Sequence, residues 1–233
     1  MTSQIDLVKK SLVKVGGKVK PLATAAKVVR QRTLTDARRS LVLDAARAVF
    51  YERGLQGTSV REIAQRAGYT PGAIYSYFDS KEDVYAALLG ESLDRLNACV
   101  ESAKAPGKSS ASEVLRATAN AFFDFYRENP RDLDLGFYLF QGMQPRGLTP
   151  DLNERLNKRL RDSLSHTKKA LEALGMTPDK SLSEVTSLFA HTVGLLVLSH
   201  TGRIRMFKQA SQSLFDDYLA QLVRRAESNV RSK

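Results

Sequence analysis

Twenty-one residues from Thr58 to Phe78, T-S-V-R-E-I-A-Q-R-A-G-Y-T-P-G-A-I-Y-S-Y-F, constrain this chain more than any other stretch. They hold two helix starts with a stop between them. Ser59 is a favoured N-cap, and Glu62 three residues later completes a capping box. Val60, Ile63, Ala64 and Ala67 then fall on one face of a short first helix. Gly68 can adopt the left-handed conformation that ends such a helix without a Cβ penalty. Thr70 is a second N-cap. Pro71 follows at the first helical position, where a missing N–H costs nothing. Ile74 and Phe78, four apart, anchor the second helix. Two short helices and a tight turn of this length predict a helix-turn-helix. The outer side of the second helix offers Thr70, Gly72, Ala73, Tyr75, Ser76 and Tyr77, with no acid before Asp79. Such a face can approach a polyanion without repulsion.

Upstream lies V-L-D-A-A-R-A-V-F-Y-E-R-G, from Val42 to Gly54, and downstream D-S-K-E-D-V-Y. Together these about 50 residues resemble, in order and spacing, the DNA-binding domain of the TetR family of bacterial transcription regulators. The resemblance implies an all-α fold. A three-helix helix-turn-helix DNA-binding domain would be followed by a helical ligand-binding and dimerisation domain, about nine helices in all. The expected division is a basic flexible arm over 1–35, the DNA-binding domain over 36–82 and the regulatory domain over 83–233.

The resemblance also implies that the helix opening at Thr70 and Pro71 enters the major groove. Thr70, Gly72, Ala73, Tyr75 and Ser76 then face base edges, with the Ala73 methyl suited to thymine. Tyr75 and Tyr77 stand where relatives contact phosphates, and Lys81 matches a phosphate-binding lysine. Thr58 and Ser59 add hydroxyls at a helix N-terminus, a natural phosphate site. Arg61 points out of the first motif helix and can read guanine, hold a phosphate or pair with Glu62. The motif helix has no Arg, Asn or Gln, so shape and a few contacts should carry specificity.

Charge agrees with an anionic partner but sits elsewhere. Of the formal +11, residues 1–35 carry +7, residues 36–90 carry zero and residues 91–233 carry +4. The lysines of the arm can reach phosphates or merely solvate it. A single cysteine, Cys99, excludes an intrachain disulfide and fits a reducing cytoplasm. One Cys and three separated His predict no structural zinc, and no cofactor is expected. The longest apolar run, Leu188 to Leu198, is interrupted by His191, Thr192 and Gly194. It falls short of the ~18 residues a membrane span needs, and the amino terminus lacks a secretory core.

Beyond the motif the periodicity stays helical: a helix from about Thr35 to Arg53, then Ser80 to Lys104, Ser112 to Asn129, Arg131 to Gln141, one opening at Thr149 and Pro150, Ser181 to Met206, and Ser213 to Ser228. In the fifth of these, Leu152, Leu156, Leu160 and Leu164 recur every fourth residue. The first of the last two is apolar round most of its circumference and the second carries a broad apolar stripe, more than one small bundle needs, which predicts burial on both sides and a homodimer through them. Aromatic residues cluster from Phe122 to Phe140, including Tyr138. Phe123, Tyr126 and Phe137, with the polar Asn120, Gln141 and His191, form a candidate pocket for a small apolar or aromatic effector. Ordinary core packing is the alternative for each ring.

No phosphate-binding glycine loop, nucleophile elbow or metal-binding helix motif is present, so no enzyme is expected. The predicted function is a ligand-responsive regulator, by default a repressor, binding a palindromic double-stranded operator as a dimer. The rivals are a ligand-independent architectural DNA-binding protein and a helical protein-interaction module.

Overall fold

Thirteen residues of good helix formers ahead of Thr35 carry the first helix well beyond its expected start. In the computed structural model, which describes residues 22–104, 109–137 and 148–231, α1 spans Leu22–Arg53. No Gly or Pro interrupts Leu22 to Leu34, and Ala, Lys, Arg and Gln dominate it. Thr35 does not cap. Its hydroxyl donates back to the Gln31 carbonyl at 2.9 Å, and Thr33 does the same to Val29 at 3.0 Å. This is the bond a threonine makes inside a helix.

The chain divides into two compact units, 1–41 and 42–233. In the first, the side chains of residues 28–41 are nearly all exposed, Val29 and Leu41 included. The remainder of the basic arm, residues 1–21, lies outside the described residues, as do Tyr138, Phe140 and Gln141.

Burial begins at Val42. Val42, Leu43, Ala46 and Phe50 belong to a core shared with Ile63, Ala64, Ile74 and Phe78. Those four come from α2 (Val60–Ala67), α3 (Pro71–Tyr75) and the turn after it. The long α4 (Lys81–Ser102) adds Val84 and Tyr85 to the same core, with Tyr85 edge-on to Phe50 at 5.8 Å. Ser80 caps α4 by accepting from the Asp83 amide at 3.1 Å.

Five more helices follow among the described residues: α5 (Ala111–Glu128), α6 (Pro130–Phe137), α7 (Pro150–Ala173), α8 (Pro178–His200) and α9 (Ser211–Arg231). The described residues contain no strand. α7 packs against α4, α5 and α8. Its leucine row lies in or against the core. A four-residue step drifts about 40° round a helix each time, so the four leucines differ in depth. Leu156 is buried, whereas Leu152, Leu160 and Leu164 are partly so. Ser163, Thr167, Ala170 and Leu171 complete the buried face. The Thr167 and Thr118 hydroxyls meet at 3.0 Å between α7 and α5. Small side chains let those two helices approach closely.

α8 differs from expectation in another way. By length and composition it is apolar enough to cross a membrane, yet only 33% of its apolar window is buried within the chain. Counting an uninterrupted run missed this, because His191, Thr192 and Gly194 dilute its hydropathy without cancelling it. Leu182 is exposed, and so are Met206 and Phe207 in the 3₁₀ turn that follows α8. α9 covers part of α8, with Phe215 of α9 stacked on Phe123 of α5 at 4.2 Å and 15°.

Candidate nucleic-acid interface

The turn between α2 and α3 follows from its caps. The Ser59 hydroxyl accepts from the Glu62 amide at 3.3 Å, and the Ser59 amide donates to the Glu62 carboxylate at 2.9 Å, which closes the expected box. Gly68 takes φ 71°, and the Tyr69 amide reaches back to the Ala64 carbonyl at 2.9 Å. Thr70 caps α3 by accepting from the Ala73 amide at 3.3 Å, with Pro71 at the first helical position. Ile74 and Phe78 hold α3 down, fully buried or nearly so. Thr70, Pro71, Gly72, Tyr75 and Ser76 are left exposed together, with Ala73 half-buried among them. Arg61 is exposed on α2. It has not paired with Glu62, which is bonded to Arg53 at 2.5 Å instead.

Three expected phosphate contacts sit differently. Thr58 is only 3% exposed, and its hydroxyl donates to the Gly54 carbonyl at 2.6 Å. Tyr77 is half-buried and packs against the core. Lys81 turns inward. Its ammonium donates to the carbonyls of Leu55 (2.9 Å), Thr58 (3.0 Å) and Gln56 (3.4 Å). An ammonium has three protons, so all of them are engaged on one loop. The first residue of α4 thereby fixes the segment that ends α1 and starts α2. A motif match identifies a lysine but cannot say which way it points.

Gly54 and Gly57 in the same segment are positioning residues that the sequence reading passed over. Gly54 ends α1 at φ 64°. At Gly57 a Cβ would fall 2.4 Å from the Arg53 carbonyl oxygen, a backbone atom that cannot step aside. The signal was available as two glycines three apart just before an N-cap. Gly57→Ala is expected to displace the loop, lower thermal stability and weaken duplex binding at least tenfold. Paired melting and fluorescence-anisotropy titrations would measure both.

Hydrogen bonds from the Ser59 hydroxyl and amide, then the charge of Arg53, hold the Glu62 carboxyl below its ordinary value of 4.5. A depressed folded-state value stabilises above the unfolded one and is lost as pH falls through the folded one. Melting temperature should therefore drop as pH is lowered from about 5 toward 3. Glu62→Gln should flatten that part of the curve, measured by circular dichroism.

Of the residues expected to line an effector pocket, Gln141 lies outside the described residues, and the others pack as follows. Tyr126 meets Phe137 at 5.9 Å and Phe122 at 5.3 Å, ring edge to ring face. Phe123 is fully buried on Phe215. His191 stacks on Tyr218 of α9 at 4.2 Å, with Nε2 buried and unpartnered among the described residues. Burial lowers its imidazole pKa. Asn120 is half-buried on α5. These rings pack against one another as core.

Residues 42–88 match the family model for bacterial regulatory proteins of the tetR family. This segment is thereby similar to the DNA-binding domain of that family. The match runs from the first buried residue of α1 through the whole helix-turn-helix and into α4. The transcriptional activator FasR of Mycolicibacterium smegmatis is 36% identical over 102 residues, 44% of this chain and 46% of that protein. The transcriptional repressor KstR2 of Rhodococcus jostii is 48% identical over 59 residues, 25% of this chain and 29% of that one. The chain thus spans less than half the length of these relatives, which are named as regulators and not enzymes. Among solved structures, a tetR-family regulatory protein from Rhodococcus RHA1 superposes with TM-score 0.60 at 20% identity, covering 83% of this chain and 96% of that one. FadR from Bacillus subtilis, solved with stearoyl-CoA, gives TM-score 0.57 at 21% identity, covering 79% and 97%. These structures share the fold across the helices that follow as well.

Proposed function

We propose that this protein is a ligand-responsive, sequence-specific DNA-binding regulator. It acts in the cytoplasm as a homodimer on a palindromic operator, and repression is its default outcome. The observation that carries the reading is the exposed outer side of α3, presented by two capped helices on a buried core. Its hydrogen-bonding state suits base recognition. The Thr70 oxygen accepts an internal bond and keeps its proton to donate, whereas Ser76 donates to the Ala73 carbonyl at 2.6 Å and keeps lone pairs to accept. A donor and an acceptor at fixed spacing can select a base step.

Dimerisation through α8 and α9 gives the exposed apolar side of α8 a cover. A bilayer is the poorer cover. Glu184 on α8 is ion-paired with Arg225 of α9 at 3.0 Å, and a second subunit tolerates such a pair at its rim. The likeness to an activator and to a repressor leaves the sign to operator position. Blocking the promoter represses, and binding upstream of it can activate.

Selection of bound duplexes from a random pool, with and without metabolite extract, tests the reading. The expected product is an inverted repeat whose enrichment changes with extract. Uniform coating of every duplex would favour the architectural protein, and no retention at low salt would favour an interaction module. Sedimentation at micromolar concentration should give a dimer.

A further inference from the structure

A cleft of about 830 Å³ opens between the last turns of α1 and the joint of α5 with α6. Its volume suits a small organic molecule. Phe50 and Tyr85 contribute to its lining, and Tyr51, more than half exposed, presents a ring from α1. Opposite stands Arg131, the second residue of α6. Its guanidinium lies over the Tyr51 ring, 4.7 Å from the centroid. That contact bridges the cleft and demonstrates what the ring accepts.

The charge of the lining selects the guest. Three guanidinium groups face five carboxylates. Arg47 is held by Asp44 at 2.7 Å and Glu91 at 3.5 Å, and Arg95 is held by Asp132. Glu52 and Glu128 are paired with Arg66 and Arg127, which offset two of the five negative charges, and each carboxylate keeps further acceptor positions. An anion entering here would meet Arg47 and Arg95 already ion-paired with carboxylates. A cation with an apolar body would meet aromatic faces and carboxylates.

We infer that this cleft is an effector site for a lipophilic organic cation, which takes the place of Arg131 on the face of Tyr51. The inference rests on the regulator reading and supplies its ligand class. The displaced Arg131 no longer links α6 to α1. Leu55 lines the same cleft, and its carbonyl is one of the three that Lys81 grips. A guest that spreads the cleft therefore shifts the segment on which the helix-turn-helix is built. That is a differential interaction between two states, as a ligand-driven change requires.

The test uses tetraphenylphosphonium as probe and tetraphenylborate as a size-matched anion. Both are titrated calorimetrically into the full chain and into Tyr51→Leu and Arg131→Ala, with melting curves to verify folding. The cation should bind the native chain. Tyr51→Leu should weaken it at least fivefold, and Arg131→Ala, which removes the internal competitor, should tighten it at least threefold. Operator affinity of the native chain should change in the presence of the cation. Equal binding of the anion, no binding of the cation at millimolar concentration, or indifference to Tyr51→Leu would overturn the inference. Failure to select any duplex would instead overturn the regulator reading, whatever the cation does.

Discussion

Lys81→Ala loses operator affinity while the slope of log affinity against log salt stays unchanged. That is the expected result if the ammonium acts on the protein and not on DNA. A phosphate contact would behave oppositely. Its removal lowers the slope by roughly 0.9 and leaves the fold intact. Here three carbonyls, those of Leu55, Gln56 and Thr58, would lose one shared cationic donor. Hydrogen bonds to a charged group contribute about 1.5–3 kcal/mol each, though three on one ammonium do not add fully. A loss of about 2–3 kcal/mol is the working expectation. For a chain of this size that lowers Tm by about 5–10 °C. Duplex titrations at four salt concentrations, together with thermal melts, separate the two roles. A slope reduced by about one unit with unchanged Tm would return Lys81 to the phosphate backbone.

Phe123→Ala should cost about 3–5 kcal/mol, the usual penalty for emptying a fully buried aromatic site. The Phe123 ring has no exposed surface and stacks on Phe215, tying α5 to α9. Urea unfolding would measure the loss as a lower midpoint at constant m-value. If Phe123 lined an open pocket, the substitution would enlarge a void already present and cost less than about 1 kcal/mol. The same experiment therefore decides between core and pocket for the aromatic cluster. A large loss directs the search for effectors toward the cleft between α1 and α6.

Local signals made the reading head legible before any coordinates. Ser59 with Glu62, Gly68, and Thr70 with Pro71 act within four residues of themselves, and each adopts the cap it predicts. Ile63, Ala64, Ile74 and Phe78 follow a period that any buried helix face must obey. The family resemblance rests on the same residues. Thr35 misled because a threonine can cap a helix or bond back into one, and only the preceding residues choose between them. The leucines of α7 face the core as their spacing predicts, and their drift round the helix sets how deeply each is buried.

The sequence alone determined the helical class, the two caps, the turn and the polar outer side of α3, since these depend on neighbours a few positions away. Tertiary structure decided where long side chains and rings point. Lys81 meets carbonyls more than twenty residues distant, Thr58 is sealed by a helix end, and Phe123 finds Phe215 across the bundle. Those outcomes depend on which surfaces meet after the chain folds back on itself. A flexible side chain carries no local record of that choice.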